Sequence, residues 1–220
     1  LMWLLQEKAK ICGFSLRENE NSLFKRFIYE NRDFINSFDH NIGDINDLNS
    51  LSEVVNQFKP EIVFHLAAQS LVKKSYKNPL LTFYTNAIGT LNVMESLVSL
   101  RNNCVAVIIT SDKSYKNLET ERGYKETDVL GGTDPYSASK ASAELIIQSY
   151  FKSYLIDRKN IRIAVARAGN VIGGGDWSEN RLIPDCVRSW SKNKKVIIRN
   201  PDATRPWQHV LDALYGYINL

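Results

Sequence analysis

The chain has 220 residues, of which 44% are hydrophobic and 24% are charged. This composition is ordinary for globular proteins and excludes disordered and fibrous chains. No apolar run approaches the roughly 18 residues that a membrane-spanning helix requires. The net charge of +4 suits an anionic small ligand as well as it suits nucleic acid, but basic and acidic residues are interspersed, so we expect no nucleic-acid binding and no membrane contact.

The cysteine content gives an expectation about the cellular compartment. Cys12, Cys104 and Cys186 are odd in number and far apart. They have neither the spacing of a disulfide framework nor that of a metal site, so we expect free thiols and no bound metal. A reducing, cytoplasmic location is therefore expected.

The first predicted element is an amphipathic helix, because the apolar residues at the start of the chain run directly into polar ones. The apolar pattern of residues 10–16 predicts a strand. Residues 17–43 have no such pattern, which predicts a long surface segment without regular structure. Helical spacing returns over residues 44–58, where Ser50 is the expected N-cap.

Strands and helices alternate in the rest of the pattern. Apolar, β-branched runs predict strands at residues 61–66, 104–110, 161–166 and 196–199. Helical spacing predicts helices from Pro79 onward, at residues 135–155, near residues 182–192 and at the end of the chain. The second of these helices is expected to bury Ala143, Ile147, Tyr150, Phe151 and Tyr154. The alternation predicts an α/β fold, a Rossmann-like doubly wound parallel sheet that collects ligand groups at the carboxyl ends of its strands.

Two polar segments could carry chemistry at those strand ends. Ser111, Asp112 and Lys113 follow the predicted strand at residues 104–110, and Tyr136 and Lys140 share one face of a helix turn. A neighbouring cation lowers the pKa of a tyrosine, so Tyr136 could take a proton from a hydroxyl whose oxygen Ser111 holds. A Tyr-x-x-x-Lys pair alone also fits an ordinary solvent-exposed helix face.

With Ser111 at a strand end and Tyr136 further along a βαβ series, the chain resembles the extended short-chain dehydrogenase/reductase superfamily. Residues 65–69 are similar to the segment that lines the NAD groove in that superfamily, and Asp44 and Ile45 are similar to its adenine-binding pair. Asn86 resembles its mid-helix asparagine, although it could be a surface residue and Asp44 a helix cap. The resemblance implies NAD as the cofactor, bound by Asp44, Ile45, Leu66, Ala67, Ala68, Gln69, Asn86, Tyr136 and Lys140.

Asp112 and Lys113 narrow the resemblance to sugar-nucleotide 4,6-dehydratases, which need a base for the C5 proton and an acid for the C6 hydroxyl. Together with residues 66–76, 123–144, 166–177 and 200–210, this pair is similar to the branch that acts on CDP-glucose. The resemblance implies conversion to CDP-4-keto-6-deoxy-glucose, with the catalytic residues Ser111, Asp112, Lys113, Tyr136 and Lys140. As the base, Lys113 would need a depressed pKa, which desolvation in a closed cleft and the nearby charge of Lys140 could both produce. It could also be a solvated loop lysine, and Asp112 a turn cap.

The resemblance also implies a binding site for the nucleotide sugar and a domain division. Residues 1–170 would form the NAD-binding domain, and residues 171–220 would begin a smaller substrate-binding part. The resemblance implies that the nucleotide sugar is bound by Asn170, Arg181, Leu182, Arg199 and Arg205. Arginine forks also suit a diphosphate. Each of these arginines could also be an ordinary surface residue.

The family pattern also bears on the two ends of the chain. It implies truncation at both ends, with about 12 to 15 residues of strand and glycine loop before Leu1. Glu18 is the available candidate to bind the ribose hydroxyls, and a homo-oligomer is expected for the full-length protein. Two other functions stay open at this point. One is an epimerase or dehydratase for a dTDP-, GDP- or UDP-sugar, and the other is an inactive nucleotide-binding fragment.

Overall fold

The computed structural model describes residues 1, 5, 8–17, 30–31 and 38–220. Most of the helix predicted at the start of the chain lies outside these residues, and so does Glu18. The strand predicted at residues 10–16 is confirmed as β1, Ile11–Ser15.

Strand β2, Phe38–Ile42, pairs in parallel with β1 along its whole length. It lies inside the stretch predicted as a surface excursion, so that prediction is wrong for these five residues. The sequence FDHNI has no apolar periodicity because its central residues are polar and two of them are exposed. Backbone pairing with β1 therefore forms a strand that side-chain pattern does not indicate.

Helix α1 is Leu48–Phe58, and its N-cap is Asp47 rather than the predicted Ser50. The Asp47 carboxylate accepts from the backbone N of Ser50 at 3.1 Å and from its hydroxyl at 2.7 Å. Both residue types cap helices well, and here Ser50 supplies the donors while Asp47 accepts them.

The next three strands are confirmed as β3, Ile62–His65, β4, Cys104–Ile109, and β5, Ile161–Ala166. They pair in parallel in the order β3-β4-β5. The helices between them are α2, Val72–Lys77; α3, Pro79–Phe83; a π-helical turn, Tyr84–Ile88; α4, Gly89–Ser99; and α5, Pro135–Tyr150, which continues as a π-helical turn, Phe151–Leu155.

Strand β4 is buried on both faces, as its unbroken apolar run predicts. Its alternate side chains Cys104, Ala106 and Ile108 pack in one core cluster with α1, α4 and α5. Val107 packs on the opposite face with residues of the C-terminal helix. Helices therefore cover both faces of the parallel sheet, which confirms the doubly wound α/β architecture.

The last part of the chain contains β6, Asn170–Ile172; α6, Leu182–Trp190; β7, Trp207–His209; and α7, Val210–Asn219. Strands β6 and β7 form a parallel pair. The strand predicted at residues 196–199 is wrong, because this segment has no strand pairing and Ile197 is 86% exposed. Ala213 and Tyr217 of α7 pack with Val107 and Ala166. The division of the chain at residue 170 stays a prediction.

Helix α5 buries less of its C-terminal end than its pattern suggests. Ala143 and Ile147 are buried as predicted, but Phe151 is 37% exposed and Tyr154 is 58% exposed. Tyr150 is half-buried, and its hydroxyl donates to the Glu95 carboxylate at 3.0 Å. The widening to a π-helical turn at Phe151–Leu155 changes the helical phase, which brings Leu155 rather than its neighbours into the core.

Among the helices of the described residues, none has both the length and the apolar character that crossing a bilayer requires.

Candidate active site

The turn after β4 carries three of the predicted catalytic residues. Ser111 begins a short 3₁₀ helix, Asp112–Ser114, and its hydroxyl accepts from the backbone N of Lys113 at 3.2 Å and donates to the Asp112 carboxylate at 3.1 Å. The backbone N of Asp112 also donates to the carbonyl of Ala168 at 3.1 Å, beyond the end of β5. The turn is therefore held at the carboxyl edge of the sheet, where parallel α/β folds bind ligands.

The first turn of α5 carries Tyr136 and is held from the loop before it. Asp134 caps the helix and accepts from the backbone N of Tyr136 and of Ser137, both at 3.0 Å. Gly132 passes so close that an added Cβ would lie 2.3 Å from the Cβ of Ser137. Only a residue without a side chain fits there, so glycine permits the approach of the loop to this turn.

Tyr136 is buried beside Ser111. Burial raises the pKa of Tyr136, while the hydrogen bond with Ser111 and the charge of Arg181 act in the opposite direction. The nearby carboxylates of Asp112 and Asp134 also raise the pKa of Tyr136. The prediction that the neighbouring lysine lowers this pKa is therefore wrong for this structure, because desolvation dominates.

The ammonium of Lys140 points to the sheet rather than to the phenol. Its Nζ donates to the carbonyl of Ile109 at 3.2 Å, and the residue is only 6% exposed. Burial lowers the pKa of Lys140 to about 8, against a smaller opposing effect of Glu144. Lys140 is therefore a buried donor at the end of β4 that remains mostly charged at neutral pH.

Asp112 and Lys113 differ in their accessibility. Asp112 is half-buried next to Ser111, whereas Lys113 is exposed. Lys113 therefore lies in this structure as the solvated loop lysine that the sequence left open, and its desolvation in a closed cleft stays a prediction.

The segment after β3 forms the neighbouring wall of the site. Leu66 is exposed, and Ala67 and Ala68 are half-buried. Gln69 is buried, and its amide donates to the carbonyl of Leu71 at 3.2 Å and to the hydroxyl of Thr82 at 3.0 Å. Leu66, Ala67 and Ala68 therefore have the accessible surface that a ligand could contact, whereas the Gln69 side chain holds the segment in shape.

Asn86 lies within the π-helical turn and joins this wall to α5. Its Oδ1 accepts from the backbone N of Gln69 at 2.8 Å, and its Nδ2 donates to the carbonyl of Gln69 at 3.1 Å and to the hydroxyl of Ser139 at 2.9 Å. Asn86 is 1% exposed. Both of its amide hydrogens and one lone pair of its oxygen are used within the protein, and the side chain is buried, so it supports the wall rather than contacting a ligand.

The buried His65 at the end of β3 is neutral. Its Nε2 lies 3.0 Å from the hydroxyl oxygen of Thr90, and that hydroxyl donates its one hydrogen to the carbonyl of Asn86 at 2.7 Å. His65 must therefore be the donor, with its proton on Nε2. Burial, with a smaller effect of the Lys140 charge, lowers the pKa of His65 to about 3.

We expect His65 to control part of the acid stability of the fold. Between pH 6.5 and about 3, His65 is protonated in the unfolded chain but stays neutral when it is buried in the folded protein. The free energy of unfolding therefore falls as the pH falls. We expect replacement by Gln, which can still donate to Thr90, to reduce this slope by about 1.4 kcal/mol per pH unit. Denaturant titrations from pH 6 to pH 4 measure how the free energy of unfolding depends on pH. The same change at exposed His40 is the control, and equal slopes for His65→Gln and the unmodified protein would contradict the expectation.

The predicted adenine-binding pair lies just after β2. The carboxylate of Asp44 accepts from the backbone N of Asn46 at 2.9 Å and from its side-chain amide at 3.0 Å. Asn92 of α4 donates to the carbonyl of Ile45 at 2.9 Å. The Oδ1 of Asn46 is buried without a hydrogen-bond partner in the described part of the chain. It is an acceptor that a bound amino group could satisfy.

Two of the residues predicted to bind the nucleotide sugar lie on one side of the site. Arg181 donates to the carboxylate of Asp176 and to the hydroxyl of Ser70, both at 3.0 Å, and its charge acts on Tyr136. Arg199 donates to the side chain of Asn180 at 3.2 Å, next in sequence to Arg181.

Of the other predicted nucleotide-sugar residues, Leu182 directly follows Arg181 in the chain, whereas in the described residues no hydrogen bond joins Asn170 or Arg205 to this pair of arginines. Leu182 is 40% exposed at the start of α6, and Asn170 lies in β6, half-buried. Arg205 is exposed, and its guanidinium donates to the carbonyl of the preceding Thr204 at 2.6 Å.

Sequence reasoning missed a buried polar cluster behind the turn. It consists of Glu144 on α5, Arg167 after β5, Thr110 and Tyr115. One signal was available, since Glu144 lies one helical turn after Lys140 and therefore on the same helix face. Within the residues that the structure describes, no cluster of His, Cys, Asp and Glu could hold a metal ion.

Comparison with known proteins decides the family. The sequence profile described as GDP-mannose 4,6 dehydratase matches residues 1–220. The chain belongs to that family. CDP-glucose 4,6-dehydratase from Salmonella typhimurium is 46% identical over 222 residues, which include 99% of this chain and 60% of that protein. UDP-glucose 4-epimerase from Mycoplasma genitalium is 29% identical over 80% of this chain and 53% of that protein.

Two solved structures have the same fold. The dTDP-glucose 4,6-dehydratase from Bacillus anthracis in complex with NAD has a TM-score of 0.78 at 24% identity, over 98% of this chain and 64% of that chain. The UDP-glucuronic acid 4-epimerase from Bacillus cereus in complex with UDP-glucuronic acid and NAD has a TM-score of 0.81 at 18% identity, over 99% of this chain and 67% of that chain. The α/β fold expected from the sequence is thus confirmed, and the chain spans about 60% of the length of the Salmonella protein.

Proposed function

We propose that this chain is part of a lyase that converts CDP-glucose to CDP-4-keto-6-deoxy-glucose and water. The observation that carries the proposal is the Ser111-Asp112-Lys113 turn at the end of β4, next to buried Tyr136. An epimerase needs no acid and base beside its serine, whereas elimination of water needs both. The 46% identity to the Salmonella CDP-glucose 4,6-dehydratase supports this substrate.

NAD is the proposed cofactor, and the chain offers groups that fit it. The unpartnered Oδ1 of Asn46, next to Asp44 and Ile45, suits the amino group of an adenine. The accessible Leu66, Ala67 and Ala68 offer an apolar wall, and Tyr136 and Lys140 lie at the adjacent strand end. When bound, NAD supplies oxidation at C4 and later returns the hydride to C6. Asn86 and Gln69 contribute by shaping the wall.

Tyr136 is the proposed base for the C4 hydroxyl. Its hydrogen bond with Ser111 and the charge of Arg181 favour the phenolate, against the effect of burial. In the structure the one hydrogen of the Ser111 hydroxyl is donated to the Asp112 carboxylate at 3.1 Å, so Ser111 can donate to the phenolate or to the substrate oxygen only by leaving this partner. Lys140 adds a positive charge at the same strand end.

Asp112 and Lys113 are the proposed pair for the elimination. A ketone at C4 acidifies the C5 hydrogen, Lys113 removes it, and protonated Asp112 donates to the C6 hydroxyl as it leaves as water. Asp112 is half-buried and Lys113 is exposed on the same turn. Ordering of this turn on a bound sugar would withdraw Lys113 from solvent, which favours its neutral, basic form.

Arg181 and Arg199 are the proposed partners of the diphosphate. Guanidinium groups bind phosphate oxygens through paired hydrogen bonds, and both residues lie next to Asn180. Asn170, Leu182 and Arg205 remain proposed sugar-nucleotide residues on resemblance alone.

A mass measurement tests the proposed function. Incubation of the full protein with CDP-glucose and NAD should give a sugar nucleotide that has lost one water. An unchanged mass would contradict the dehydratase; nuclear magnetic resonance of the sugar then shows either an isomer, as from an epimerase, or unconverted CDP-glucose, as expected of a chain without activity. The corresponding dTDP-, GDP- and UDP-sugars are the controls for nucleotide choice.

We also propose a cytoplasmic homo-oligomer. The three cysteines are free thiols, as in a reducing compartment. Leu80 and Tyr84 on one helix and Leu145 and Tyr154 on another are each at least half exposed. Such exposed apolar side chains are typical of surfaces that a second copy covers. Light scattering of the full protein tests the oligomer.

A further inference from the structure

We propose that Arg167 is a positioning residue for the turn that carries Asp112 and Lys113, and that Glu144 holds Arg167 for this purpose. This inference rests on the proposed function, because it concerns the residues of the elimination step. It assigns a role to a buried ion pair whose side chains lie behind that turn.

The guanidinium of Arg167 joins four segments of the chain. Its Nε donates to the Glu144 carboxylate at 2.6 Å, and its Nη2 binds the other oxygen of the same carboxylate. Its Nη1 donates to the hydroxyl of Tyr115 at 2.9 Å and to the carbonyl of Glu126 at 3.2 Å. The strand end after β5, helix α5, the turn after β4 and the following loop therefore meet at one side chain.

The same ion pair holds both ends of the turn. At its start, the hydroxyl of Thr110 donates to the Glu144 carboxylate at 2.7 Å. At its end, Tyr115 is bound by Arg167 and lies with its ring 4.7 Å from the guanidinium carbon. Between these two anchors stand Ser111, Asp112, Lys113 and Ser114. A shift of either anchor would move the acid and the base of the elimination.

The burial of the pair indicates a role in geometry more than in stability. Glu144 has 2% and Arg167 14% of its side chain exposed, so both charges are removed from water. Such a pair adds little net stability, because apolar residues of similar volume are often as stable in its place. What a two-pronged guanidinium–carboxylate pair does supply is a fixed orientation.

Of the residues proposed for oxidation, Ser111 lies on this turn, whereas Tyr136 and Lys140 are held by other contacts. Tyr136 is fixed by the Asp134 cap, and Lys140 by the carbonyl of Ile109. Loss of Arg167 should therefore impair removal of water more than oxidation at C4.

The experiment compares three variants of the full protein. The double variant E144Q/R167M removes both charges, so that neither is left buried and unpaired, and the glutamine oxygen can still accept from Thr110. R167K keeps the charge but loses the fork. R122M is the matched control, because Arg122 forms a similar two-pronged pair with Asp128, at 2.7 and 2.8 Å, at the solvent surface of the same loop.

Backbone amide exchange tests the geometry without any turnover. In the protein without substrate, we expect faster exchange over residues 111–116 in E144Q/R167M than in the unmodified protein, and no change there in R122M. Unchanged exchange in the double variant would overturn the proposal, and so would equal loosening in R122M. This readout is independent of which sugar nucleotide the protein accepts, so it separates failure of this inference from failure of the proposed function.

Kinetics with CDP-glucose give the second readout. We expect water loss to fall about 100-fold in E144Q/R167M at nearly unchanged KM, with oxidation at C4 still detectable, and partial recovery in R167K. Melting temperatures confirm that each variant is folded. Water loss at the normal rate in a folded double variant would overturn the proposal.

Discussion

Replacement of Tyr136 by phenylalanine should lower the turnover of CDP-glucose about a thousandfold. The phenol is the proposed base for the C4 hydroxyl, and removal of a general base typically costs a factor of 10² to 10⁴. Because Tyr136 is buried and phenylalanine keeps its ring, we expect the fold to be retained. Steady-state formation of the keto sugar measures the effect.

A second tyrosine on the same helix provides the control for this variant. Tyr150 bonds to Glu95 at 3.0 Å, away from the strand ends. We expect Tyr150→Phe to turn over CDP-glucose at the normal rate. A Tyr136→Phe variant with more than about a tenth of normal activity would contradict the role of the phenol.

Replacement of Lys113 by methionine should abolish water loss and leave oxidation at C4 measurable. Lys113 is the proposed base for the C5 proton, whereas Tyr136 and Lys140 act at C4. We expect the rate of water loss to fall at least about a hundredfold. Rapid quenching measures oxidation at C4 and water loss separately, because CDP-4-keto-glucose reports the first step and CDP-4-keto-6-deoxy-glucose reports the second.

Lys116 is the matched control for this change, because it is an exposed lysine three residues further along the same loop. Lys116→Met should form both products at normal rates. Normal turnover by Lys113→Met would remove Lys113 from the mechanism, and loss of C4 oxidation together with water loss would show a general defect of the site.

The strongest local patterns predicted the fold. The apolar run of β4, the helix start at Pro79 and the spacing of Tyr136 and Lys140 are each set by nearby residues, and the structure contains all three. The strand β2 could not be predicted in the same way. Its polar residues acquire strand structure only by pairing with β1, which is distant in sequence.

Electrostatics within the site depended on tertiary packing. Spacing alone puts Lys140 near Tyr136, but the structure directs its ammonium to Ile109, and burial then determines the pKa of the phenol. Lys113 is exposed on its turn, and its spacing in the sequence could not distinguish a solvated lysine from a desolvated one. The link between Glu144 and Arg167 joins residues from two elements, so no local pattern indicates it.

The fate of the hydrogen at C4 tests the proposed reaction most directly. With CDP-glucose that carries deuterium at C4, we predict a product that has lost one water and carries the deuterium at C6. In a parallel reaction of unlabelled CDP-glucose in deuterated water, C5 should gain deuterium from the solvent. Mass spectrometry and nuclear magnetic resonance locate both atoms. A product of unchanged mass, or a dehydrated product with deuterium lost to solvent, would contradict the account.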